Sequence, residues 1–207
     1  MGLALGLGQS ADAINYGSGT FSGKSAVNGV LSAYGLPQLP DQKGFTPFLG
    51  QYGPTVVEFV YPASWVINDR AKMRGKILRA GDTGITVSDY RTAEGLTLFS
   101  LPVSFSNIED CPPSVIGDLV VDSGGSNAAA FKMKTQTELP EKGYKQFVFS
   151  WEQVTASGYE IARVSVTSAT VQKGILYALS GVVTKERLKA MKPTLEEVAK
   201  SLRVYNV

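Results

Sequence analysis

The chain has 207 residues, of which 43% are apolar and 18% charged, and a formal net charge of +2. This is enough for one ordinary domain with a real core plus an appendage, and the near-neutral balance gives no global argument for nucleic acid. Histidine is absent, which excludes Ser-His-Asp and Cys-His catalysis, His-ligated zinc or iron, and a histidine pH switch.

The opening run LALGLGQSADA is small and apolar and ends in Ala11-Asp12-Ala13, an A-x-A signal-peptidase pattern lacking the usual upstream basic region. Residues 1–13 are therefore expected to be the tail of a targeting peptide, with the mature chain starting near Ile14; a flexible apolar N-terminus is the alternative. No apolar run approaches the roughly 20 residues that span a bilayer. Residues 14–54 are dense in Gly, Ser and Pro and poor in charge, with isolated apolar anchors. That is not the composition of a solvated tail. Ordering such residues costs on the order of 1–2 kcal/mol each, so the segment lies either on its own domain or against a partner. An extended, partner-binding arm is expected, with Tyr16, Phe21, Tyr34, Phe45, Phe48 and Tyr52 as its anchors. Within it, GSGTFSGKS imitates a phosphate-binding loop, but Ser18 stands where the first glycine is required and no strand precedes it.

From Thr55 the pattern turns to strands. TVVEFVYP is β-rich and ends at Pro62; GKILRAG and GITVSDYR follow, with Gly81-Asp82 and Gly84 expected as the turn between them; Leu96–Val103 is the next strand. Cys111 cannot form an internal disulfide and, beside Pro112, reads as a packed thiol rather than a nucleophile. Pro112–Val121 places Val115, Ile116, Leu119 and Val120 on one helical face. After a Gly/Ser/Asn loop at 123–127 come three long runs, AFKMKTQTEL, KQFVFSWEQVT and YEIARVSVTSATV, then ILYALSGVV after the turn at Gln172-Lys173-Gly174. Short connections between these runs predict an antiparallel meander. A short helix is expected over Thr184–Met191. A second is expected after Pro193, with Thr194 and Glu197 at capping-box spacing, a stripe of Leu195, Val198, Ala199 and Leu202, and a Glu196–Lys200 pair. The elements add up to an α+β domain over 55–207 preceded by the arm.

Several of these segments, in this order, resemble the PsbP family of lumenal photosynthetic proteins. They are Tyr61-Pro62-Ala63-Ser64-Trp65 at the end of the first strand; Gly75-Lys76-Ile77-Leu78-Arg79 followed by Asp82; and Gly174-Ile175-Leu176-Tyr177 before the basic and amphipathic helices up to Val204. The resemblance covers about Phe45 to Val207. It implies an αβα sandwich with a central antiparallel sheet and a non-enzymatic role without cofactors. Family members sit in the chloroplast thylakoid lumen, peripheral to the membrane, as extrinsic subunits or assembly factors. Their partners are integral subunits of photosystem II, photosystem I or the NDH-like complex. The photosystem II member helps retain calcium and chloride at the oxygen-evolving complex. The absence of histidine here removes any role carried by family histidines, and the long Gly-rich arm leaves the host complex open.

Within this frame Trp65 is expected to anchor the core edge after Pro62 stops the strand. Arg70, Lys72, Arg74 and Lys76 alternate, so an extended segment projects them from one face. They are either a ridge for an acidic lumenal surface or anionic lipid, or a solvated face protecting an edge strand. Carboxylates are scattered: Asp82 and Asp89 could meet across a hairpin, but calcium needs several more oxygens. Tyr144, Phe147, Phe149 and Trp151 read as aromatics alternating on one strand face. A second reading of the chain is a small-ligand or pigment carrier whose pocket, between sheet and helices, uses Phe149, Trp151 and Tyr177.

Overall fold

A computed structural model describes residues 19–70, 78, 80–92, 94–122, 128–155 and 157–207. Two antiparallel sheets carry the fold. The smaller has the strand order β1 (Gly19–Ser22), β2 (Phe45–Tyr52), β3 (Thr55–Pro62), β11 (Arg203–Asn206). The larger runs β4 (Val66–Asp69), β5 (Asp82–Asp89), β6 (Glu94–Pro102), β10 (Ile175–Thr184), β9 (Glu160–Gln172), β8 (Tyr144–Val154), β7 (Ala128–Glu138). The expected meander is the β7–β10 half of this larger sheet, and its β-branched and aromatic runs become strands within a residue or two of the bounds read from sequence. Among the described residues three α-helices complete the architecture: α1 (Lys24–Ala33), α2 (Pro113–Asp122) and α3 (Leu188–Ser201).

The layers follow from which faces are apolar. Val57, Phe59 and Tyr61 of β3 face Ile85, Val87, Leu96, Leu98, Leu179 and Val183 of the larger sheet across one core, into which α3 inserts Leu195, Val198 and Ala199. The opposite face of the larger sheet presents Phe147, Phe149 and Trp151 to Ile116 and Val120 of α2. A third, smaller cluster packs Val27 and Leu31 of α1 on Leu49 and Val56. The expected α+β class, with an antiparallel sheet between helices, is observed; a second sheet carrying its own helix is the addition. Gly181 lets α3 approach β10, because a Cβ there would stand 2.6 Å from Leu195 Cδ2 and 3.1 Å from Leu96 Cδ2. Gly181→Ala is expected to lower the unfolding free energy by about 1–3 kcal/mol through overpacking, read as a shift of the urea midpoint at unchanged m-value.

Several expectations are corrected. Residues 19–54 are not an extended arm and the domain does not begin at 55: β1 pairs with β2, and β2 pairs with β3 from Phe45↔Pro62 to Tyr52↔Thr55. The anchors find enough apolar surface on their own domain to offset their ordering entropy. The chain around Pro193 is one helix from Leu188 rather than two. Glu196 accordingly pairs back to Lys192 at 3.7 Å, while Lys200 meets Glu197 at 3.6 Å. Gly84 belongs to a bulge inside β5, where the register against β6 shifts between Asp82 and Thr86, not to a turn. Asp82 and Asp89 therefore stand at opposite ends of one strand and do not meet. Tyr144 packs in the α3-side core, on the face opposite Phe147, Phe149 and Trp151. Residues 75–77 and 79 of the expected GKILRAG strand fall outside the described residues, as do the 123–127 loop and residues 1–18.

Candidate contact surfaces

The residues expected to bind a partner separate into three groups. Tyr16, Lys72, Arg74 and Lys76 lie outside the described residues. Arg70 is engaged within the fold: its Nη2 donates to both carboxylate oxygens of Asp82, at 2.7 and 3.0 Å. The arm aromatics are committed to the domain's own packing. Phe48 is 1% exposed and lies 4.8 Å, ring to ring, from Phe59. Phe45 and Tyr52 pack against the main core, and Phe21 and Tyr34 against the α1 cluster. The Tyr34 hydroxyl also accepts a 2.7 Å hydrogen bond from Gln51 Nε2. Phe48 in particular is corrected from contact residue to core residue.

The carrier pocket is not assembled either. Phe149 and Trp151 belong to the α2-side core and Tyr177 to the α3-side core, on opposite faces of one sheet, so they do not converge. Cys111 is buried, its Sγ lies 3.6 Å from the Pro112 carbonyl, and burial pushes its thiol up to about 11. It therefore stays protonated and unreactive near neutral pH. Among the described residues no three His, Cys, Asp or Glu side chains gather as a metal site.

A basic groove that sequence reading passed over lies where β7, β8 and β9 meet the start of α3. Its volume is about 440 Å³, and Lys132, Lys134, Arg163 and Lys185 line it with a single acid, Glu152. Val148, Ala162, Val164 and Leu188 supply apolar wall. Lys132 stands opposite Ser150 in the β7–β8 ladder, and Lys185 is fixed by its N–H donating to the Ala162 carbonyl at 2.9 Å. None of the three lysines has an ion-pair partner among the described residues. Arg163 donates to Gln153 Oε1 at 3.1 Å, and burial lowers its pKa. Walls of this kind focus a positive potential that attracts anionic groups. The neighbouring Phe131 and Met133 point the other way: Phe131 stacks on Phe149 at 5.3 Å and fills the space left by Gly117. The alternation Phe131-Lys132-Met133-Lys134 was the available signal, since a strand must sort those side chains onto opposite faces.

Set beside solved structures, the chain is similar to the solution structure of cyanobacterial PsbP (CyanoP) from Synechocystis sp. PCC 6803. The TM-score is 0.51 at 19% identity, covering 72% of this chain and 86% of that one. The fold is PsbP-like. The Saccharomyces cerevisiae Ran-binding protein Mog1p (TM-score 0.45, 10% identity, 71% and 89% covered) and LpqN, involved in cell envelope biogenesis of Mycobacterium tuberculosis (0.41, 10%, 72% and 83%), are weaker likenesses. No protein-family model and no curated protein matches the chain.

Proposed function

We propose that this protein is a non-enzymatic lumenal accessory protein, bound peripherally to a photosynthetic membrane complex through photosystem II or photosystem I subunits. The observation that carries the reading is the likeness to cyanobacterial PsbP over most of both chains, joined to the ordered segments Tyr61–Trp65 and Gly174–Tyr177. The basic groove supports an electrostatic mode of attachment. Its unpaired lysines suit an acidic lumenal loop, and such contacts weaken at 1 M salt, where the Debye length is about 3 Å.

The test is mass spectrometry across a native gel of solubilised thylakoids from the source organism. Stoichiometric migration with a photosystem is the expected result, with release after a 1 M salt wash. Migration only with smaller, pigment-poor intermediates would point to an assembly factor, and migration with the NDH-like complex would move the host. Free protein in every condition would sink the proposal. The triple reversal Lys132→Glu, Lys134→Glu, Lys185→Glu is expected to leave the fold intact and reduce membrane retention at least tenfold. Unchanged retention would remove the groove from the interface.

A further inference from the structure

A second concavity, unrelated to the basic groove, lies on the outer face of the smaller sheet. Its floor is β3 and β11, one wall is the C-terminal end of α3, and its roof is the loop that leaves α1. The volume is about 290 Å³. Pro37, Leu39, Pro40 and Val60 line it with apolar surface, while Glu58, Glu197, Lys200 and Arg203 supply the charges. The roof is fastened at its far end by two neighbouring residues. Lys24 pairs with Asp41, and Gln42 Nε2 donates to Glu197 Oε2 at 2.9 Å.

One charged group of the pocket is left with an unmet hydrogen bond. Lys200 is paired with Glu197. Arg203 is paired with Glu141 through Nε at 3.6 Å, and its Nη1 donates to the carbonyls of Lys200 and Leu202 at 2.8 and 2.7 Å. Glu58 is 1% exposed. Its Oε1 accepts from the Tyr205 hydroxyl at 3.1 Å, but its Oε2 is buried with no hydrogen-bond partner. A buried carboxylate normally recruits donors to both oxygens, and an orphaned acceptor is costly. The pocket's unmet requirement is thus a donor, preferably positive, delivered beside apolar wall. Its two cations have no need of an anionic ligand, since both already hold carboxylates.

We propose that this pocket binds an alkylammonium group, with the ammonium head on Glu58 Oε2 and the apolar stem against Pro37, Leu39, Pro40 and Val60. A free amine and a lysine side chain of a partner protein share this chemistry. Burial raises the carboxyl of Glu58 to about 7 against Tyr205 and Arg203, which act in the opposite sense. A proton therefore competes with the ammonium for the same oxygen.

The experiment is calorimetric titration of the full chain at pH 8 with n-butylamine and with N-acetyl-lysine amide, using n-butanol as the uncharged control. Saturable binding of at least one amine is expected and none of the alcohol. Tighter binding of the lysine amide would assign a partner's side chain, and tighter binding of butylamine a free amine. Affinity should fall about fivefold between pH 7 and pH 6 and close to tenfold per pH unit below that, as one proton displaces one ligand. In Glu58→Gln the heat should vanish. No saturable binding, binding equal for butanol, or binding that is independent of pH and survives Glu58→Gln would each overturn the site. The pH series on the unaltered chain keeps the test decisive if that variant does not fold.

Discussion

Replacing Glu58 with glutamine is expected to stabilise the protein by about 3 kcal/mol at pH 8 and to leave stability at pH 4.5 nearly unchanged. The carboxyl titrates at about 7 in the folded chain and 4.5 unfolded, chiefly because burial disfavours the charge. A raised acid pKa means that the native state holds its proton more tightly. This group's contribution is thus fully present below about pH 4.5, is lost as pH rises towards 7, and stays lost above it. The difference between the two values, at about 1.4 kcal/mol per unit, gives the expected size. Glutamine keeps an oxygen for Tyr205 and carries no charge to desolvate. Urea unfolding of both forms at pH 4.5 and pH 8 reads the effect, and identical pH dependence in the two would refute it. Glu58→Gln would then be a protein that is more stable at pH 8 and has lost its amine. Retention of an ionisable, under-satisfied carboxylate in a core-like position is the kind of concession that binding sites demand.

Trp65→Ala is expected to cost about 3–5 kcal/mol while leaving membrane attachment intact wherever the variant is folded. The side chain sits in the main core beside Tyr61, Ile85 and Val87, and its backbone N–H closes the turn onto the Pro62 carbonyl at 2.9 Å. Pro62 ends β3, the chain reverses, and the indole fills the gap between the two sheets before β4 begins. Truncation leaves a cavity bounded by two sheets that cannot both move in. Thermal unfolding followed by circular dichroism measures the loss. A variant of unchanged stability that no longer attaches would reassign Trp65 from core to contact.

The strands with dense β-branched and aromatic sequence were legible: β3, β6 and β7 to β10 fall where TVVEFVYP, LTLFSLPV, the three long runs and ILYALSGVV placed them. So was α2, through its apolar face behind Pro112. Residues 19–54 were not. Gly and Ser density suggested an arm, yet Val27, Leu31 and Tyr34 recur at helical spacing and mark α1. β2 was hidden by Pro47 and Gly50, residues that weaken strand propensity but are tolerated here by tertiary pairing. Pro193 read as a helix start because proline favours a first turn; packing of Leu195, Val198 and Ala199 instead carries the helix through it. The basic groove and the Glu58 pocket depend on which non-neighbouring residues converge, which no local pattern encodes.

The closing of the smaller sheet by β11 has a kinetic consequence. Tyr205 reaches Glu58 across 147 positions of sequence, and β3 pairs on that side only with β11. A chain that emerges from a ribosome or a translocation pore in order must hold β3 with a bare edge until nearly everything between has appeared. Contacts so distant in sequence form late, because loop closure precedes any gain from them. The early intermediate would have most of the larger sheet, a solvated Glu58 and an unpaired strand open to wrong partners. Docking of the last few residues is then a maturation step, and pulse-labelled hydrogen exchange during refolding should find the Val204 amide, which donates to the Tyr144 hydroxyl, and the Val207 amide, which donates to the Pro54 carbonyl, among the slowest to gain protection.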